Sequence, residues 1–274
     1  MKKVLIAILL LGLLPHASAD YIHWVDFRLS APVLRSALEL DMASQGGEQP
    51  LDWIDILALA AAWRGGTGVT VADTQRAAQA LRGDTPPERL PGMAGRYFSY
   101  YREAYGAALG GLAGHFAIRR TDPQTGEAEW IPAYGLKAFS PIAAGYPWSH
   151  YPDFGAQRSY GYARPHLGND ILGALGTPIC AVEGGTVEAL GWNRYGGWRI
   201  GIRSDDRKRY YYYAHLRKDT PYAEGLAVGQ RVQAGDVIGF MGRTGYSAQE
   251  NVNNIETVHL HFGLQLIFDE SQKE

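Results

Sequence analysis

The stretch VHLHFGLQLI, residues 258–267, decides the fold of the second half of the chain. Its length and alternation predict a β-strand, with His259 and His261 on one face and Leu260 and Phe262 on the other. A strand with one apolar face needs a sheet and a core that cover that face. The two imidazoles on the opposite face are a start for a metal site, because histidine is a common transition-metal ligand.

Further short strands surround this one, and each is bounded by turn-forming residues. We predict them at residues 179–182, 187–190, 198–203, 210–216 and 237–242. No long helical pattern interrupts them, which favours an antiparallel β-sandwich or barrel. The segment 138–163 is rich in Pro, Gly and aromatic residues, and we interpret it as an irregular connection. Within it, we expect Tyr146, Trp148 and Tyr151 to pack between domains rather than to cover a groove.

The first half of the chain has a helical pattern. Predicted helices begin after the cap residue Ser30, cover 51–63 before Gly65, follow the cap residue Thr70 as far as Leu81, and span 95–109. Two strands, 115–120 and 127–131, come next. The chain is therefore predicted to be an α+β protein with a signal peptide at 1–19, a mostly helical region at 20–135 and a compact β-sandwich or barrel domain at 136–274.

The first nineteen residues have the layout of a secretory signal peptide. Lys2 and Lys3 precede the apolar run 4–14, and Ala17-Ser18-Ala19 supplies small residues before Asp20. That run is short for a membrane span, although an uncleaved anchor is the alternative. We expect a protein that is secreted or resides in the cell envelope, with no membrane span in the mature chain. A formal net charge of -2 excludes a dedicated nucleic-acid binder.

A second polar motif, HLGND at 166–170, complements the histidine pair. His166 and Asp170 are four residues apart across Gly168, and a bend at the glycine would let both side chains reach one ion. With one histidine of the 259/261 pair they give two nitrogen ligands and one oxygen ligand. Three protein ligands leave a fourth tetrahedral position to water, as catalytic zinc sites require. The spacing does not decide which histidine of the pair is the ligand.

His215 ends the run Tyr210–Ala214 and has no place in this ligand set. It can take a proton from water or hold an oxyanion, because imidazole titrates near neutral pH. The histidine of the 259/261 pair that is not a ligand can do the complementary job. Each motif alone is weak evidence, whereas the three together in one β domain indicate a metal site.

The segment from Arg164 to Phe262 resembles the catalytic domain of the LytM- and lysostaphin-type zinc endopeptidases. The matching pieces are RPHLGNDI (164–171), GTP (176–178), GxV (185–187), YAHL (213–216), VGQxV (228–232), GDVIG (235–239), GxTG (242–245) and HLHF (259–262). The resemblance implies a compact antiparallel fold of the duplicated hybrid motif type with an open groove. It also implies hydrolysis of peptide bonds in the stems or cross-bridges of bacterial peptidoglycan.

The same resemblance assigns roles to individual residues. It implies one Zn²⁺ per chain, bound by His166, Asp170 and His261, and it makes His215 and His259 the catalytic histidines. Tyr160 is a further candidate contact for the substrate. Two features depart from the family pattern: the stretch 246–258 is longer than the usual link, and Val258 replaces a proline. We expect the longer loop to reshape one wall of the groove.

Other functions compete with this interpretation. The first alternative is a catalytically idle cell-wall-binding or regulatory envelope protein on the same fold, although such copies normally lack one of the five site residues. The second is a phosphocarrier of sugar uptake on a similar β fold, which the export signal disfavours. The role of the helical region stays open between a pro-segment, a docking domain and a buttress for the β domain.

Overall fold

The computed structural model describes residues 28–268, so the predicted signal peptide at 1–19 lies outside the described residues. Helices α1 to α4 are Ala31–Ser44, Trp53–Arg64, Val71–Leu81 and Met93–Leu109, with a short 3-10 turn at Pro87–Arg89. Strands β1 to β13 follow in chain order: Ala113–Thr121, Ala128–Leu136, Trp148–Tyr151, Gln157–Arg158, Arg164–Pro165, Asn169–Gly173, Pro178–Cys180, Gly185–Asn193, Gly197–Ser204, Arg209–Ala214, Arg231–Val232, Val237–Phe240 and His259–Leu266. The predicted α+β class is confirmed.

The helical region has a core of its own, centred on α2. The side chains from Ile56 to Ala61 are all completely buried, in agreement with a helix predicted to be apolar on every side. Asp52 caps the start of α2 by accepting a hydrogen bond from the Ile54 N–H, and Gly65 ends it in a left-handed conformation. Within residues 28–268, no helix combines the length and apolar character needed to cross a membrane.

Two of the predicted helix caps had different outcomes. Thr70 caps α3 as predicted, and it forms a reciprocal capping box with Asp73. Ser30 precedes α1 as predicted, but its side chain makes no capping hydrogen bond. The Ser30 carbonyl instead accepts hydrogen bonds from Val33 and Leu34, and a proline occupies the first turn.

The centre of the β region is one seven-stranded sheet with the order β11-β8-β9-β10-β13-β6-β3. The pairings resolved within it are antiparallel, as predicted. A separate pair, β7 and β12, shares one apolar core with this sheet, through Ile179 and Ile238 on the pair and Ile200 and Leu260 on the sheet. The pair and the sheet therefore pack face to face, and the other face of the sheet remains available for the polar residues.

The segment 138–163 is more ordered than predicted. It contributes β3, the edge strand of the large sheet, which pairs with β6 so that Tyr151 lies opposite Asp170. The expectation that Tyr146, Trp148 and Tyr151 pack between domains is wrong, because they are 46%, 54% and 55% exposed. An edge strand has only one neighbour, so its side chains keep large contacts with solvent.

Candidate metal centre

The central strands of the sheet bring the polar motifs together. Asp170 on β6 and His261 on β13 are direct cross-strand partners, and Ala214, the last residue of β10, pairs with His261 from the other side. His166 directly follows β5, and His215 directly follows β10. Sheet pairing therefore gathers residues that are up to 95 positions apart in the chain.

Three potential ligand atoms form a small triangle. His166 Nε2 lies 2.8 Å from His261 Nδ1 and 3.1 Å from Asp170 Oδ1. The third side, from His261 Nδ1 to Asp170 Oδ1, is also 3.1 Å. Tetrahedral zinc with ligands at about 2.0–2.1 Å separates its ligand atoms by about 3.3 Å. Two imidazoles and a carboxylate at this spacing fit zinc in both donor type and geometry.

His259 occupies a different position from His261, although both belong to β13. Its Nε2 atom is 3.7 Å from Asp170 Oδ1, outside the triangle. Among residues 28–268, the group of side chains that could hold one ion is His166, Asp170 and His261. The geometry thus distinguishes the two histidines, which their spacing in the sequence did not.

Neighbouring groups orient His166 and Asp170. His166 Nδ1 donates to the carbonyl oxygen of Asp153 at 3.2 Å, and Asp153 Oδ1 lies 3.1 Å from the same nitrogen. This arrangement leaves Nε2 of the neutral ring as the lone-pair nitrogen. Arg158 bridges the Asp153 carboxylate and Asp170, with Nη2 3.2 Å from Asp170 Oδ2. Arg158 therefore occupies one oxygen of Asp170 while the other oxygen faces the two histidines.

Gly168 lies in a bend between His166 and Asp170, as predicted, and it has a second role as well. A Cβ atom at this position would lie 2.5 Å from His261 Cε1 and 2.6 Å from His261 Nε2. The glycine is required because the ring of His261 packs directly on the backbone between His166 and Asp170. A larger residue would displace His261 from the triangle.

The two remaining histidines share one hydrogen-bonding pattern. His215 Nδ1 donates to the carbonyl of Thr244 at 2.9 Å, and His259 Nδ1 donates to the carbonyl of Thr257 at 2.9 Å. In each ring the backbone carbonyl holds Nδ1, so Nε2 is the nitrogen directed elsewhere. The two ring centroids are 4.7 Å apart, and the ring of His215 lies 5.8 Å from that of His261.

The backbone of His215 is unusual. Its φ of 61° lies in the left-handed region, which a residue with a side chain seldom adopts. A 2.7 Å hydrogen bond from its N–H to the Gly196 carbonyl holds this conformation. Backbone conformations of this kind cluster at functional sites.

The pKa shifts at the site favour an ionised Asp170 and neutral imidazoles. Burial alone would raise the pKa of Asp170, but the hydrogen bond from His261 and the nearby histidine charges outweigh it and hold that pKa below its usual range. Burial lowers the pKa of His261 despite the opposing influence of Asp170. Burial and the neighbouring imidazoles place the pKa of His215 well below its ordinary value. Near neutral pH the carboxylate is ionised and these two rings are neutral.

The five residues face one cavity of about 870 Å³. One wall includes Tyr151, Asp153, Arg158 and Arg164, and another includes Asn254 to Thr257 of the long loop. The long loop therefore forms part of the cavity wall, which is where it was predicted to reshape the groove.

Several residues of this cavity carry no signal in the sequence. Asp153 and Arg158 were assigned only to an irregular connection, and no local pattern marks them. Tyr160, a predicted substrate contact, is not among the lining residues of the described cavity; its ring stacks at 4.7 Å on Tyr246, which does line it.

Comparison with known families gives an independent result. Residues 164–272 match the model of Peptidase family M23. The chain carries a domain of this family. The resemblance to LytM- and lysostaphin-type endopeptidases is thereby confirmed, and the match contains all five residues described above.

Several relatives of this M23 domain have names that describe an activity. The L-Ala–D-Glu endopeptidase of Bacillus subtilis (strain 168) is 40% identical over 130 residues, which cover 47% of this chain and 38% of that protein. The glycyl-glycine endopeptidase ALE-1 of Staphylococcus capitis is 38% identical over 98 residues, or 35% of this chain and 24% of the relative. The peptidoglycan DD-endopeptidase ShyC of Vibrio cholerae serotype O1 is 30% identical over 102 residues, or 37% of this chain and 20% of the relative.

These matches span less than half of each named relative. Among solved structures, the catalytic domain of lysostaphin from Staphylococcus simulans is 32% identical with a TM-score of 0.35, and the match covers 44% of this chain and 80% of that one.

Proposed function

We propose that this protein is an exported, zinc-dependent endopeptidase that hydrolyses peptide bonds in the stems or cross-bridges of bacterial peptidoglycan. The observation that carries the proposal is the triangle of His166, Asp170 and His261, with sides of 2.8–3.1 Å, beside two histidines outside it. The M23 domain and the names of its relatives support the reaction class and the substrate class.

In this proposal His166 Nε2, Asp170 Oδ1 and His261 Nδ1 hold one zinc ion per chain. A bound zinc ion supplies Lewis acidity, because it polarises a carbonyl group and makes a water molecule acidic near neutral pH. Asp153 keeps Nε2 of His166 available as a lone pair, and Arg158 keeps the second oxygen of Asp170 occupied. The chain itself thus selects the ligand atoms of His166 and Asp170.

His215 and His259 have the complementary role. Their Nδ1 atoms are held by backbone carbonyls, so Nε2 of each ring can accept a proton from the attacking water. A ring that has accepted the proton is a cation, and it can then hold the oxyanion of the tetrahedral intermediate or return the proton to the leaving amine.

The test separates metal binding from proton transfer. Zinc content and release of soluble fragments from purified peptidoglycan would be measured for the mature protein and for His261→Ala, Asp170→Ala and His215→Ala. The ligand variants should lose both zinc and hydrolysis, while His215→Ala should keep one zinc per chain and lose hydrolysis. His150→Ala is the matched control, because this exposed histidine contacts Asn169 outside the triangle.

Two outcomes would contradict the proposal. Full hydrolysis by the His215→Ala protein would refute the role given to that residue. A wild-type protein that binds zinc one-to-one and leaves every peptidoglycan preparation intact would instead be an idle envelope protein on this fold. Mass spectrometry of the released muropeptides identifies the bond that is cleaved.

A further inference from the structure

Two arginines line the cavity, Arg158 and Arg164, and they have different polar partners. Arg158 pairs with the carboxylates of Asp153 and Asp170. Arg164 makes its polar contacts through Nη1 alone, to the carbonyl oxygens of Tyr160 at 2.6 Å and Tyr162 at 3.5 Å. Within residues 28–268 no carboxylate pairs with it. A fixed positive charge thus faces the cavity without a negative partner in the described part of the chain.

The guanidinium of Arg164 is held in place by more than these carbonyls. Its Cζ atom lies 4.6 Å from the ring centroid of Tyr195 and 5.4 Å from that of Tyr162. The contacts at Nη1 and on the flat faces leave the edge formed by Nε and Nη2 for another ligand. Two parallel N–H donors on one edge of a planar cation match a carboxylate, which can accept both hydrogen bonds.

We propose that Arg164 forms a subsite for a carboxylate of the substrate, and that this carboxylate belongs to an acidic residue next to the scissile bond. This proposal rests on the proposed function. Arg164 is two residues from His166, so their Cα atoms are at most about 7 Å apart. Arg164 also lines the same cavity as His166, Asp170 and His261, so a group bound at Arg164 lies in the cavity that would hold the scissile bond.

The charge of the cavity wall agrees with an anionic substrate. The wall carries two arginines and three carboxylates, those of Asp153, Asp170 and Glu256. A divalent ion at the triangle would make the net charge of this set positive. The carboxylate beside an L-Ala–D-Glu bond in a peptidoglycan stem has the required chemistry, and the relative that is 40% identical is named for that bond.

A purely structural role is the competing explanation. In that case Arg164 only ties down the loop through the carbonyls of Tyr160 and Tyr162. Its removal would then weaken the cleavage or binding of every substrate to the same extent. The two explanations differ in whether the effect depends on the charge of the substrate.

The experiment compares two peptides that differ in one group. Each contains an L-Ala–γ-D-Glu linkage, with the α-carboxylate either free or converted to the carboxamide. The zinc-loaded protein should prefer the free carboxylate in kcat/KM by about 10- to 100-fold, the factor of a hydrogen bond to a charged group. Arg164→Met should remove the preference and largely keep cleavage of the carboxamide, while Arg164→Lys should keep part of the preference because it keeps the charge.

Arg194→Met is the matched control. Arg194 also lies over the ring of Tyr195, at 5.5 Å, but it is not among the residues that line the cavity. Its removal changes the charge equally and should leave the preference unchanged. Equal losses on both peptides in Arg164→Met, or no preference in the wild type, would overturn the subsite.

Failure of the subsite can be distinguished from failure of the proposed function. If the wild type cleaves neither peptide, the dissociation constants of both peptides are measured by calorimetry with zinc-loaded His215→Ala protein. Tighter binding of the free carboxylate, lost on adding Arg164→Met, supports the subsite even then. Equal binding of the two peptides refutes it.

Discussion

Two clusters of buried polar groups lie at opposite ends of strand β10, and their internal pairing differs. At the start of the strand, Arg209 donates to both oxygens of Glu183 at 2.8 and 2.9 Å and to Asp206 at 2.9 Å. Tyr211 donates to the same Glu183 at 2.6 Å. Glu183 and Asp206 thus pair with Nε and Nη2 of the completely buried Arg209, while its Nη1 has no hydrogen-bond partner among the described residues.

The triangle of His166, Asp170 and His261 lies just beyond the other end of the strand, and its own protons do not satisfy all of its acceptor atoms. Nε2 of His166 and Oδ1 of Asp170 both accept, and they face Nδ1 of His261, which carries at most one proton. One proton cannot satisfy both acceptors at once, whereas a cation at the centre can bind all three atoms. In the first cluster Arg209 and Glu183 neutralise each other, whereas in the triangle two acceptors share one proton, even though Arg158 pairs with the second oxygen of Asp170. A cation bound at the triangle would complete the second set.

The largest effect is expected from Asp170→Asn, which keeps the shape of the side chain and removes its charge. Zinc affinity should fall more than about 100-fold, beyond the roughly 10- to 100-fold effect of residues that only orient ligands, and hydrolysis should fall with it. Because the folded protein lowers the pKa of Asp170, loss of its charge should also reduce the stability of the metal-free protein. Competition with a zinc chelator measures the affinity, and urea denaturation without metal measures the stability. An unchanged zinc affinity would show that Asp170 does not bind the metal.

A different pattern is expected for Arg209→Met. Its removal leaves the Glu183 carboxylate buried without its cation, and the free energy of unfolding should fall by about 3–5 kcal/mol. Zinc bound per folded chain should stay the same. Arg231→Met, which breaks an exposed pair with Asp205, is the control and should cost less than about 1 kcal/mol. Unchanged stability in Arg209→Met would remove the contrast between the clusters.

A smaller effect is expected from Asp153→Asn. The backbone carbonyl that accepts from His166 remains, but the charge 3.1 Å from Nδ1 is lost. Zinc affinity should fall about tenfold, at the low end of the range for orienting partners. Asp205→Asn, on the exposed pair with Arg231, serves as the control in the same chelator competition. An affinity equal to wild type would show that the carbonyl alone orients the ring.

The smallest effect extends the comparison to the helical region, where Asp73 is paired within the chain. Burial would raise its pKa, but hydrogen bonds from Arg64 and Thr70 lower it below the ordinary value. The stabilisation is therefore present above the unfolded pKa of about 3.9, and it is lost as the pH falls through the folded pKa. Asp73→Asn should cost about 1 kcal/mol at neutral pH and less at lower pH. Urea denaturation of both proteins between pH 7 and acid measures the difference, and a constant difference would contradict the assignment.

Local signals in the sequence were sufficient for many elements. Thr70 caps α3 and Gly65 ends α2 as predicted, because each effect depends on hydrogen bonds or backbone angles within one turn. The alternation of 258–267 also predicted the face on which His259 and His261 lie. The Ser30 cap was wrong at the level of its side chain, because the backbone alone meets the first turn of α1.

Long-range pairing explains what the sequence did not show. Asp153 and Arg158 contact His166 and Asp170 in a region where β3 has paired with β6, and no periodicity in 138–163 marks that event. The second role of Gly168, which leaves room for a ring, was missed for the same reason. Its close neighbour, the ring of His261, comes from a strand about ninety residues later.

Because Leu260 lies between two histidines of the site, the effect of an insertion there depends on whether it adds an odd or an even number of residues. Leu260 is completely buried in the core on the face opposite its neighbours His259 and His261. A single residue inserted between the two histidines would turn one imidazole into the hydrocarbon core, while two residues would restore the face but lengthen the gap. Any insertion within the His-Leu-His unit therefore removes one of its two histidines from the site.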